Sequence, residues 1–130
     1  MKLLLDTHAL IWTVDSALLH RLTTSARSAI EDRSNELLVS AASAWEVATK
    51  HRIGRLPEGE RLVRQWSDIV GRLGARDLAV TVSHALRAGS LGVDHADPFD
   101  RILAAQAEIE GARLVTADRA MVDFGVDLLW

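Results

Sequence analysis

Four acids, Asp6, Glu46, Asp100 and Asp118, occupy positions in this 130-residue sequence from which carboxylates can be gathered for metal-assisted chemistry. Asp6 closes the run Leu3-Leu4-Leu5, and Asp118 follows the run Leu114-Val115-Thr116. Short apolar runs of this kind read as strands buried on both faces. An acid at the end of such a strand lies at the carboxyl edge of the sheet, where open α/β sheets bind their ligands. Glu46 and Asp100 lie near the starts of helical segments that follow loops at that same edge. Like charges ~4 Å apart repel by about 4 kcal/mol per pair at an effective dielectric near ~20, a cost that a divalent cation removes. An all-oxygen, thiol-free donor set suits Mg²⁺ or Mn²⁺ with waters completing the shell. The chemistry expected of such a site is phosphodiester hydrolysis, in which the metal acidifies water and stabilises charge on the attacking and leaving oxygens. Thr7 and Thr116 are candidates to orient that water by hydrogen bonding.

Each acid also has a local role open to it. Asp6 suits the N-cap of a segment beginning near His8, and Asp118 the cap of a turn beginning at Arg119. Glu46 stands three residues after Ser43, which is capping-box spacing. Ser40, directly after a strand, is an equally good cap and would put Glu46 in the second helical turn, where an acid is harder to explain structurally. Asp97 before Pro98 fits an N-cap followed by proline at the first helical position, so Asp97 reads as structural, with a supporting place near the metal left open. Asp100 is then the third helical residue, where the helix dipole favours its ionised form. The apolar stripe of that helix is expected from Phe99, Ile102, Leu103 and Ile109. Asp100 shares a face with Ala104 and Ala107, whose small side chains leave room for an ion.

These positions require alternating strands and helices. Strands are expected over Leu3–Leu5, Leu37–Val39, Leu78–Val82, Arg113–Thr116 and Val126–Trp130. Helices are expected over His8–Leu19, Thr24–Asp32, Ala41–Arg52, Glu60–Leu73, Ser83–Ser90 and Pro98–Glu110, the last closed by Gly111. The pattern predicts one three-layer α/β/α domain around a mostly parallel sheet of four to five strands. At 48% hydrophobic and 25% charged residues the composition is that of a globular domain. A net charge of −3 gives no overall basic signature for nucleic acid. The absence of cysteine excludes disulfides and thiolate zinc sites and fits a reducing cytoplasm. No stretch approaches the ~20 apolar residues of a membrane span, and the first apolar run is too short for a signal peptide.

In order along the chain, Leu-Leu-Leu-Asp6-Thr7-His8, Ser40-x-x-Ser43-x-Trp45-Glu46, Asp97-Pro98-Phe99-Asp100-Arg101-x-Leu103-x-Ala105-Gln106-Ala107 and Leu114-Val115-Thr116-x-Asp118 resemble the successive motifs of the PIN-domain family. Within it they are most similar to VapC-type ribonuclease toxins of type II toxin–antitoxin systems. The resemblance covers essentially the whole chain. It implies a Mg²⁺- or Mn²⁺-dependent endoribonuclease, usually a homodimer, neutralised by a VapB-type antitoxin, with Asp6, Glu46, Asp100 and Asp118 as metal-binding acids.

For the RNA itself, Lys50 to Arg76 holds seven basic residues against three acids, a local surplus that can hold phosphates or form a solvated or antitoxin-binding face. His8, His51 and His95 are further candidates to assist, although a lone histidine more often serves packing or the surface. None of the four tryptophans forms a readable stacking platform, and Trp12, Trp45 and Trp66 are expected in the core or at an interface. Two competing classes exist. A phospho-acceptor receiver domain needs a second acid beside the first-strand aspartate, an acceptor aspartate after the third strand and a lysine after the last. Here Thr7-His8 follows Asp6, Val82-Ser83-His84 stands at the third position, and the only lysines are Lys2 and Lys50. A PIN-like fold used only for binding is the other, and the intact set of four acids argues against it.

Overall fold

The computed structural model describes all 130 residues. Five strands, β1 (Lys2–Leu5), β2 (Glu36–Ser40), β3 (Ala75–Leu78), β4 (Arg113–Val115) and β5 (Leu128–Leu129), form one sheet in the order β3-β2-β1-β4-β5. Every pairing is parallel. Six helices, α1 (Thr7–Val14), α2 (Thr24–Glu31), α3 (Ala41–Arg52), α4 (Glu60–Leu73), α5 (Val82–Ser90) and α6 (Pro98–Glu110), cover its two faces, with short 3₁₀ turns over Leu19–Arg21, Pro57–Gly59 and Arg119–Phe124.

The three consecutive leucines explain the layering. Side chains alternate across a strand, so Leu3 and Leu5 enter one core with residues of α1, α2 and α4, while Leu4 enters the other with residues of α5 and α6. All three are fully buried, as a strand covered on both faces requires. β1 is central, and the chain builds outward to β2 and β3 on one side before returning to β4 and β5 on the other. The gap between β1 and β4 is therefore a topological switch point, where parallel sheets open a crevice at their carboxyl ends. No helix is long and apolar enough to cross a membrane.

The third strand departs from the expected Leu78–Val82. β3 instead pairs Ala75 to Leu78 with Leu37 to Ser40 of β2. β2 turns into α3 at Ser40, so the apolar run after Leu78 has no strand left to pair with, and Ala79, Val80 and Val82 are exposed. β3 starts directly after Gly74, whose left-handed φ of 75° ends α4. Its two central residues are held by Arg76 to Glu36 at 2.8 Å and by the Trp66 indole N–H donating to Asp77 at 2.8 Å. The first expected helix is also shorter: α1 ends at Val14, and Leu19 belongs to a separate 3₁₀ turn. On α6 the buried face is Leu103 to Ala107, whereas Phe99 is half-buried and Ile109 is 45% exposed. Gln106 is buried with its side-chain N–H donating to the carbonyl of Ala79 and its Oε1 without a partner.

Candidate active site

A cleft of about 180 Å³ opens at the switch point and is lined by Asp6, Thr7, His8, Glu46, Lys50, Asp97, Asp100, Leu103 and Asp118. A larger hollow of about 500 Å³, lined by Arg27, Arg33, Arg72 and apolar residues including Leu22 and Leu37, contains none of these acids.

Asp6 arrives at the cleft because β1 delivers it there. Its backbone N–H still pairs with the carbonyl of Val115 in β4 at 3.0 Å, which fixes its height at the sheet edge. Its Oδ1 accepts from the Ala9 N–H at 2.7 Å, so the residue caps α1 and faces the cleft at once. Burial pushes the Asp6 carboxyl above the usual carboxylate range; the Thr116 hydroxyl, the Ala9 N–H and the nearby His8 pull it back, and the charge of Asp100 adds to the rise.

Glu46 reaches the cleft from the second turn of α3, since Ser40 caps that helix by accepting from the Ala42 N–H at 3.0 Å. The capping-box reading through Ser43 is thereby displaced. Glu46 is 6% exposed. The Thr7 hydroxyl donates to its Oε1 at 2.5 Å and lies 3.1 Å from the hydroxyl of Ser43. The Lys50 ammonium pairs with Oε2 one turn along the same helix. Lys50 carries the local cation that reading the acids alone missed, although a glutamate followed four residues later by lysine is a legible signal for such a pair.

Asp97 caps α6 as expected, accepting from the N–H groups of Phe99 at 2.9 Å and Asp100 at 3.4 Å. That places Asp100 in the first turn, half-buried, with Nε2 of His95 2.9 Å from Oδ2. Burial raises the Asp100 carboxyl, His95 lowers it, and the charges of Asp97 and Glu46 raise it further. The charge of Asp100 bears on Asp6, and those of Asp97 and Glu46 bear on Asp100, a physical sign that these groups share one space. Arg101 underlies this arrangement and had no separate signal in the sequence. Its guanidinium donates to the carbonyls of Ala88, Leu91, Val93 and His95 at 2.5–3.0 Å, shaping the loop that holds His95 against Asp100.

Asp118 is exposed at the rim and caps the turn after β4 through Ala120 N–H at 3.0 Å. Thr116 is buried; its hydroxyl accepts from the Asp118 N–H at 3.0 Å and donates toward Asp6. The two threonines thus contact carboxylates, Thr7 holding Glu46 and Thr116 linking Asp6 to Asp118.

All the acids expected in the site line one cleft, together with Asp97. As they stand, each is engaged by its own donor, and no three of the chain's His, Asp or Glu side chains are arranged to hold a metal ion. The donor set nevertheless suits a hard divalent cation: it is all carboxylate oxygen, and the electrostatic strain between Asp6, Glu46 and Asp100 is what such an ion relieves. The basic surplus is less available than its count implies. Lys50 pairs with Glu46, Arg64 with Glu60, Arg72 with Asp68 and Arg76 with Glu36.

The PIN-domain family model matches residues 3–126. Ribonuclease VapC22 of Mycobacterium tuberculosis (strain ATCC 25618 / H37Rv) is 36% identical over 124 residues, spanning 91% of this chain and 88% of that protein. Ribonuclease VapC16 of the same organism is 40% identical over 58 residues, spanning 45% of this chain and 41% of that protein, less than half its length. Among solved structures, VapBC2 from Rickettsia felis bound to a DNA fragment from their promoter superposes with a TM-score of 0.70 at 16% identity, covering 100% of this chain and 98% of the other. That structural likeness speaks for the fold, and the sequence matches speak for descent: this chain belongs to the PIN-domain family.

Proposed function

We propose that the protein is a metal-dependent endoribonuclease, the toxin of a VapBC-type toxin–antitoxin pair acting in the cytoplasm. The observation that carries this reading is the convergence of Asp6, Glu46, Asp97, Asp100 and Asp118 on one cleft at the switch point of a PIN domain. The naming of its curated relatives as VapC ribonucleases supports the substrate class.

Mg²⁺ or Mn²⁺ fits the donor set, with Asp6, Glu46, Asp100 and Asp118 holding it and Asp97 in support. When bound, such an ion acidifies water and neutralises the charge that develops on a phosphodiester during hydrolysis. The chain's own residues preorganise that site. Thr7 and Lys50 fix the two oxygens of Glu46, so the carboxylate presents one orientation to the cleft. Thr116 couples Asp6 to the backbone of Asp118, and His95 holds Asp100 from the loop side. Partners that support ligating side chains commonly matter about 10- to 100-fold to activity or metal affinity. The proposed protein partners are a VapB-type antitoxin and a second copy of the chain. Val82 and Leu86 on α5, 75% and 70% exposed, offer apolar area of the kind that protein contacts cover.

The test is induced expression with and without the neighbouring open reading frame, followed by mapping of RNA 5′ ends. Growth arrest with discrete cleavage, relieved by the neighbour, is the expected result. Arrest without new RNA ends would favour a PIN-like module that acts by binding alone.

A further inference from the structure

The seam between α3 and α6 carries two rings beside the acids. Trp45 immediately precedes Glu46, and Phe99 immediately precedes Asp100. Their rings meet edge-to-face, with centroids 4.9 Å apart and planes at 72°. Phe99 is half-buried, yet Trp45 remains 64% exposed, with more of its surface open than that of any other aromatic residue in the chain. An indole braced on one side and open on the other is a preordered flat surface, since the edge-to-face contact fixes it at small entropic cost.

We propose that Trp45, braced by Phe99, is a stacking platform for one nucleobase of a single-stranded RNA lying across the cleft. The proposal rests on the ribonuclease reading above and adds to it how the strand is held. Electrostatics supply the motive. The cleft presents Asp6, Glu46, Asp97, Asp100 and Asp118 against Lys50, which is already paired with Glu46. Without a bound ion that balance repels phosphates. Arg52 and Arg55, at and beyond the end of α3, do not line the cleft. An ion held by the acids would neutralise the phosphate it addresses, so the flanking nucleotides must gain affinity near the cleft from something other than phosphate neutralisation. Base–aromatic stacking provides it without charge, and every base has a face to stack. Trp45 and Phe99 do not themselves line the cleft, but each is one residue from an acid that does, so a base stacked there belongs to a nucleotide flanking the bond the acids address.

The test measures binding of a short labelled single-stranded RNA that spans a mapped cut site. Wild type, Trp45→Ala and Trp45→Phe are each compared on intact RNA and on RNAs with one abasic position. Trp45→Ala is expected to weaken binding of intact RNA about 5- to 100-fold. Trp45→Phe is expected to restore most of it. One abasic position is expected to weaken wild type but not Trp45→Ala, while the salt dependence stays that of wild type. Equal binding by wild type and Trp45→Ala, or equal abasic penalties in both, would overturn the platform. Loss of self-association by Trp45→Ala in sedimentation, with equal abasic penalties, would assign the ring to contact between copies of the chain. If wild type cuts RNA and Trp45→Ala cuts with unchanged KM, only the platform fails. If wild type neither binds nor cuts RNA, the ribonuclease reading fails and the platform with it.

Discussion

The Thr7 hydroxyl, at the start of α1, donates to Oε1 of Glu46 in the second turn of α3 at 2.5 Å, joining residues 39 apart in sequence. Both side chains are buried. A buried carboxylate that loses a donor bears an uncompensated desolvation cost of about 1–3 kcal/mol. Thr7→Val keeps the side-chain shape and removes the donor. It is expected to destabilise the protein by about that amount in denaturant unfolding and, as loss of a supporting contact, to slow RNA cleavage about 10- to 100-fold. Thr7→Ser keeps the hydroxyl and should retain most of both.

Lys50 neutralises the other oxygen of Glu46, with its own side chain 33% exposed and that of Glu46 7% exposed. Lys50→Met leaves the buried acid without its cation. Breaking a fully buried pair costs about 3–5 kcal/mol, and the partial exposure of Lys50 reduces the expected loss to about 1–3 kcal/mol. Saturating Mg²⁺ or Mn²⁺ should narrow the gap in melting temperature between wild type and variant, because a bound ion supplies the missing charge. A gap that is the same with and without metal would show that Lys50 and the ion do not act on one carboxylate.

Asp6 and Asp100 carry raised carboxyl pKa values in the metal-free protein, mainly through burial. For an acid raised on folding, the folded state binds more protons between the unfolded and folded values, so stability falls as pH rises through that window. The contribution of Asp6 and Asp100 to the stability of the metal-free protein should therefore fall as pH climbs from about 4, close to the unfolded carboxylate value. Asp100→Asn should flatten that slope and raise the metal-free melting temperature at pH 7 by roughly a few degrees. An unchanged pH profile in Asp100→Asn would remove Asp100 as a source of the strain.

Much of this arrangement was legible beforehand. Leu3-Leu4-Leu5-Asp6 and Leu114-Val115-Thr116 declare buried parallel strands, because only a strand covered on both faces carries apolar residues at every position. Asp97-Pro98 fixes the start of α6 and with it the place of Asp100. The third strand was misplaced because the run from Leu78 to Val82 is apolar without being paired; pairing depends on where β2 ends, which is not a local property. The bracing of the site was equally hidden. Thr7 to Glu46, and Arg101 to one carbonyl of α5 and three of the following loop, are tertiary contacts, and no spacing rule connects their partners. Asp6, Asp97 and Asp118 also show that capping and lining the cleft are compatible roles, each served by one carboxylate.

Arg101 offers a test of the loop. Arg101→Met strands the carbonyls of Ala88, Leu91, Val93 and His95. It is expected to cost about 2 kcal/mol or more, as hydrogen bonds to charged donors are worth about 1.5–3 kcal/mol each and water recovers part of that. Hydrogen exchange should rise most over residues 91–97, with the helices of the opposite face protected as in wild type. Uniform deprotection would instead indicate a global loss of stability.

The convergence of the four acids is tested most directly by metal-dependent cleavage of a defined RNA by the purified protein. Wild type should cut under Mg²⁺ or Mn²⁺ and stop when the ion is chelated. Asp6→Asn and Asp100→Asn should each abolish cleavage while keeping the native fold by circular dichroism. Cleavage by either variant at the wild-type rate, or by wild type with the metal removed, would contradict the account.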